Sequence, residues 1–161
     1  MPNPEQLAIL EQGAEPWNRW REQNEDLRPD LREANLGGAR LGGGANLGGA
    51  NVVWAYVRDA NGRCGTNLSK VNLTRANLSK ADLGGADLRC ADLREANLRE
   101  SYLREADLRN ADLREANLSG ANLGQADLGG ANLSQARVYQ TVFGDTNLKD
   151  AKSGCLCSFG T

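Results

Sequence analysis

The chain of 161 residues predicts an all-β solenoid, a backbone wound into stacked coils around a thin apolar interior. Three observations predict it: a leucine that returns every five residues, a small residue two places before it, and two polar or glycine residues after it. From Thr66 to Asp150, seventeen consecutive pentads of the form Ala-(Asp/Asn)-Leu-x-x run without a slip. The centre is leucine everywhere except at Val138 and Phe143, and the small residue is alanine except at Thr66, Val71, Ser101, Thr141 and Thr146.

A period of five excludes the regular alternatives. On a helix, successive leucines would step by roughly 140° and circle the whole surface, leaving no stripe to bury. On a straight strand, an odd period would send alternate leucines to opposite faces. A chain that turns once per pentad solves both problems: alanine and leucine point inward from a short extended segment, the Asp or Asn between them points outward, and the last two residues make the corner. The corners hold Gly-Gly, Ser-Gly, Gly-Gln, Arg-Glu and Arg-Asn, which suit turns. Alanine at the second inward position keeps a narrow interior from crowding. Each buried leucine contributes about 1.5–3 kcal/mol, enough for a core in a chain with 5% aromatics.

These tandem pentads, over roughly residues 29–152, resemble the pentapeptide-repeat family. The resemblance implies a right-handed quadrilateral β-helix with four pentads per coil, hence about six coils and a rod roughly 28 Å long at strand spacing. Toward the N-terminus the register shifts twice. An extra glycine follows the pentads of Leu31, Leu36 and Leu41, and "RDANGRCGTNL" interrupts the phase after Leu47, Val52 and Val57. Asn61-Gly62 marks a turn, so a loop over 58–65 is expected to bulge from the stack.

The ends of a solenoid need covers. Residues 1–28 predict a small helical cap: Asn3 precedes Pro4 at the start of one helix running to Gly13, and a second is expected to begin at Pro16, with Trp17 and Trp20 on one face over the first coil. This leader also resembles that of many cyanobacterial members of the family. Residues 153–161 form a short tail in which Leu156 or Phe159 is expected to fold over the last coil.

Composition narrows the function. Nineteen Lys and Arg against 21 Asp and Glu give a net charge of −2, which announces neither a nucleic-acid-binding surface nor a strongly acidic one. No basic-then-apolar leader and no run of eighteen apolar residues occurs, so a cytoplasmic protein with no membrane association is expected. Cys64, Cys90, Cys155 and Cys157 lie far apart except for the last pair and lack the paired CxxC signature, and the chain has no histidine, so free thiols, no metal and no cofactor are expected. Without histidine, a phosphate loop or converging carboxylates there is no catalytic constellation, and no enzyme is expected.

With four pentads per coil, residues twenty apart stack. The outward columns then read Asn67, Asp87, Asp107, Asp127, Asn147 and Asn72, Asp92, Asp112, Asn132, with Arg89, Arg109, Arg94 and Arg114 at the following corners to offset the carboxylates. The remaining columns read Asn77, Asn97, Asn117, Arg137 and Asp82, Tyr102, Asn122, Val142. The expected function is a rigid, monomeric interaction module for an unidentified protein. Candidate contacts are Trp54, Tyr56, Arg58 and Arg63 of the loop region and Tyr102 on the rod. The alternative comes from quinolone-resistance relatives that mimic DNA and bind DNA gyrase; the arginines that neutralise the acidic columns argue against it.

Overall fold

The computed structural model describes residues 3–24, 26, 27, 29, 31 and 68–153. The register shifts, the 58–65 loop and the C-terminal tail after Ser153 lie outside the described residues.

Helix α1 spans Pro4–Glu11, with Asn3 as its N-cap: the Asn3 Oδ1 accepts from the N–H groups of Glu5 (3.0 Å) and Gln6 (3.3 Å). Helix α2 spans Ala14–Gln23 and begins two residues before the proline expected to open it. Pro16 is tolerated inside the first turn because the N–H groups there have no intrahelical acceptor. Trp17 is buried, and its ring centroid lies 5.1 Å from that of the partly buried Trp20.

From Leu68 the backbone pairs with itself twenty residues on. Parallel bridges link Asn72 to Asp92, Asp92 to Asp112 and Asp112 to Asn132, and the same spacing holds on every side. Four pentads therefore close each coil. We number the sides by their leucines: face I carries Leu88 and Leu108, face II Leu93 and Leu113, face III Leu98 and Leu118, face IV Leu103 and Leu123. Three hydrogen bonds per pentad build the wall. The Leu88 N–H donates to Asp107 O (2.8 Å), the Cys90 N–H to Arg109 O (3.0 Å), and the Asp92 N–H back to Val71 O (2.9 Å). A fourth closes the corner: the Ala91 N–H donates to Leu88 O (3.1 Å) across residues 89 and 90.

That corner has one strained residue. The second corner position has positive φ in all described pentads, at fourteen non-glycine residues with φ between 54° and 62° and at three glycines. Positive φ at the second central residue and not the first is the signature of a type II turn. Lys, Arg, Glu and Gln fill most of these places, although the left-handed region disfavours L-residues by about 1–2 kcal/mol. The wall hydrogen bond donated by the same residue, as at Glu105 to Gly124 O (3.1 Å), holds it there.

Inside, every alanine and leucine from Ala76 to Leu133 is buried. Where a hydroxyl replaces alanine it finds an acceptor in the wall: the buried Ser101 Oγ donates to Leu98 O (2.8 Å), and Thr141 and Thr146 donate to Leu118 O and Leu123 O (2.7 Å each). The core thins in the last coil, where Leu148 is 43% exposed.

The corner strain makes a prediction. Glu105→Val places a β-branched side chain at positive φ and is expected to cost about 1–2 kcal/mol more than Glu105→Gly, which relieves the strain. Denaturant unfolding of the two variants measures the difference.

Candidate functional site

The outward Asp and Asn do more than face water. The ladder leaves the N–H of the first corner residue without a backbone acceptor, and the side-chain oxygen two residues earlier takes it. Asn72 Oδ1 accepts from the Thr74 N–H (3.0 Å), Asp127 Oδ1 from Gly129 (2.9 Å), Asn122 Oδ1 from Gly124 (3.1 Å), and the motif recurs around the coils. Asp and Asn are the residues that make this two-residue reach. The reading of these positions as simply outward missed the bond, although the residue pair and its offset from the corner were legible.

On faces I and II the same carboxylates also hold arginines. Arg89 grips Asp87 with two bonds, Nε to Oδ1 (2.8 Å) and Nη2 to Oδ2 (2.7 Å), and its Nε lies 3.7 Å from Asp107 Oδ2 of the next coil. Arg109 repeats this with Asp107 and reaches Asp127 at 3.8 Å. On face II, Arg94 and Arg114 grip Asp92 and Asp112, and Arg94 reaches Asp112 at 3.9 Å. The hydrogen bonds from these arginines hold the carboxyls of Asp87, Asp92, Asp107 and Asp112 below their ordinary range against the opposing effect of partial burial. Arg75 likewise pairs with Glu95 one coil on, Nε to Oε2 at 2.9 Å.

Faces III and IV are different. Tyr102 is 55% exposed on face IV, Val142 is 52% exposed in the same column, and Tyr139 is 58% exposed at the corner that joins the two faces. The sequence reading singled out Tyr102 but passed over Tyr139 and Val142. Trp54, Tyr56, Arg58 and Arg63 lie outside the described residues. At the corner of face I, an open recess of about 470 Å³ is lined by Ser69, Lys70, Arg89, Cys90, Arg109 and Asn110. It brings the exposed Cys90 thiol near basic groups, but its lining includes no carboxylate and no histidine. No group of side chains suited to a metal ion is found among the described residues. No helix among them is long and apolar enough to cross a membrane.

The lowered carboxyl values fix the sign of a pH effect. Carboxyls that bind protons more weakly in the folded chain than in the unfolded one contribute stability that is full above about pH 4 and is lost as pH falls through the folded values. The melting temperature is expected to fall on acidification below that point. Asp92→Asn/Asp112→Asn keeps the oxygen that caps each corner and removes the ion pairs, so its melting temperature is expected to vary less between about pH 5 and about pH 2.5. Thermal unfolding followed by circular dichroism checks both outcomes.

Comparison with known proteins accounts for the repeat. The family model for pentapeptide repeats matches residues 64–94 and 91–130, with 8 copies. No curated protein matches significantly. Among solved structures, the chain is 31% identical to HetL, a pentapeptide repeat protein involved in heterocyst differentiation regulation from Nostoc sp. strain PCC 7120, over 76% of this chain and 71% of that one (TM-score 0.20). It is 30% identical to a pentapeptide repeat protein of the Arabidopsis thaliana thylakoid lumen, over 60% and 70% (TM-score 0.38). It is 25% identical to Rfr23, a pentapeptide repeat protein of the cyanobacterium Cyanothece 51142, over 86% and 94% (TM-score 0.42). The likeness is one of sequence and repeat, and on it the chain belongs to the pentapeptide-repeat family.

Proposed function

We propose that this chain is a non-enzymatic interaction module, a right-handed, four-sided β-helix with α1 and α2 over its first coil, that acts as a monomer in the cytoplasm by presenting its faces to another protein. The observation that carries this reading is the closed interior. Every described inward position from Val71 to Leu133 is at most 3% exposed, so nothing can enter the coil and any function must lie on the outside. The outside is a regular, hydrogen-bonded wall, which can hold side chains of separate coils at fixed spacing and bind with little loss of freedom. Tyr102 is the first candidate contact. Trp54, Tyr56, Arg58 and Arg63 are the second group.

Mimicry of DNA toward gyrase is the weaker reading. A DNA-like surface needs unneutralised negative charge in rows, whereas the carboxylates of faces I and II are each gripped by an arginine of the same pentad or reached by one from the preceding coil.

Two assays separate the readings. Pull-down from a native lysate, with a variant lacking residues 58–65 beside the full chain, is expected to retain a protein; retention of none by either form would end the module reading. In a DNA gyrase supercoiling assay the chain is expected to have no effect at micromolar concentration, and inhibition there would replace the module by the mimic.

A further inference from the structure

We infer that the surface wrapping from face III to face IV toward the C-terminal coils is the docking site of this module, and that its occupant is an extended protein segment bearing carboxylates and apolar side chains. The inference rests on the module reading and adds the place and the chemistry of the partner.

Its ground is where the repeat breaks its own rule. From Asn72 to Asn147, Tyr102, Arg137 and Val142 are the outward positions that are neither Asp nor Asn, and all three lie on faces III and IV. Each forfeits the oxygen that caps a corner. The N–H groups of Arg104, Tyr139 and Gly144 accordingly meet no acceptor among the described residues. Each substitution gives up a corner bond that its neighbours keep, and such local violations collect at functional sites.

Charge breaks the pattern at the same place. In the coils from Leu68 onward, Arg75, Arg89, Arg94, Arg99, Arg109 and Arg114 each have a carboxylate within 4.0 Å. Arg104 and Arg137 have none among the described residues, and Arg104 donates only to the neutral Gln125 Oε1 (2.9 Å). Glu100 is engaged with Lys80 and Arg99, and Glu105 and Asp145 take the second corner position, toward face I. The surface thus offers bare N–H donors, two unneutralised guanidinium groups and the exposed faces of Tyr102, Tyr139 and Val142. Gly144 leaves the backbone open, with nothing within 4 Å of where a Cβ would stand. Donors and cations call for acceptors and anions, and the aromatic and aliphatic groups call for apolar side chains between them.

The test uses a random peptide library displayed on phage, selected against the full chain. The control is the repeat-restoring variant Tyr102→Asn/Arg137→Asn/Val142→Asn. Because the three asparagines give back the missing corner bonds, this variant is expected to melt a few degrees higher than the parent, so lost binding cannot be attributed to unfolding. Selection is expected to enrich peptides rich in Asp or Glu and apolar residues, and synthetic copies are expected to bind the variant roughly tenfold or more weakly by fluorescence anisotropy. Enrichment of basic or neutral peptides, or equal binding to parent and variant, overturns the inference while leaving the module reading intact. Enrichment of nothing overturns the inference, while the module reading stands or falls by the pull-down.

Discussion

A backbone that turns every five residues strands one N–H at each corner, and the need to satisfy it governs much else in this protein. The Asp or Asn two residues earlier answers that need, so the outward position of nearly every pentad becomes polar for a reason of folding alone. Stacking the coils then sets these residues in columns at strand spacing, where carboxylates would repel one another. Arginine at the next corner relieves the repulsion within its own pentad and reaches the following coil. The neutral exterior of faces I and II is thus a consequence of corner geometry carried through three steps. A surface charge can be read as functional only after those steps are accounted for.

The positive φ at each corner adds a second debt of the same kind. Long polar side chains stand where glycine would be easier, and from Lys70 to Gln125 each is held by a hydrogen bond to the coil above it. At Gly130 a Cβ would meet Asn110 Oδ1 at 2.5 Å, so a substitution there would also make the Asn110 side chain swing aside. A single coil could not hold so many left-handed residues; a stack can, because each corner is tied to the next. Cohesion in this fold therefore resides between coils more than within them.

Much of the architecture was legible because one period excluded both helix and straight strand. Leu68 to Leu133 read as interior and are interior. The opposition of Asp87 and Arg89, and of Asp92 and Arg94, was likewise visible once residues twenty apart were set side by side. What stayed hidden was directional chemistry. The Asp127 side chain bends back to the Gly129 N–H, and Lys70 or Glu115 adopts positive φ, although neither type favours it. Pro16 misled for a similar reason: it was read as the opening of a helix that starts at Ala14, because the first turn accepts proline at more than one place. Val142 was read as outward but not joined to Tyr139, because each interrupts a different part of the repeat, one an outward column and the other a corner.

The arginines that lean from one coil to the next also bear on how the chain finds its pairing. The inward residues of successive pentads are nearly interchangeable, so a coil that closed one pentad late would still bury leucine on leucine. It would bring Arg94 to Asn117 in place of Asp112 and Arg109 to Asn132 in place of Asp127, while Arg89 would exchange Asp107 for Asp112. The exterior therefore carries information that the interior lacks: two of these three cross-coil Arg–Asp pairs are lost when a coil closes one pentad late. In this chain the charges act as alignment marks for a core that could not otherwise count.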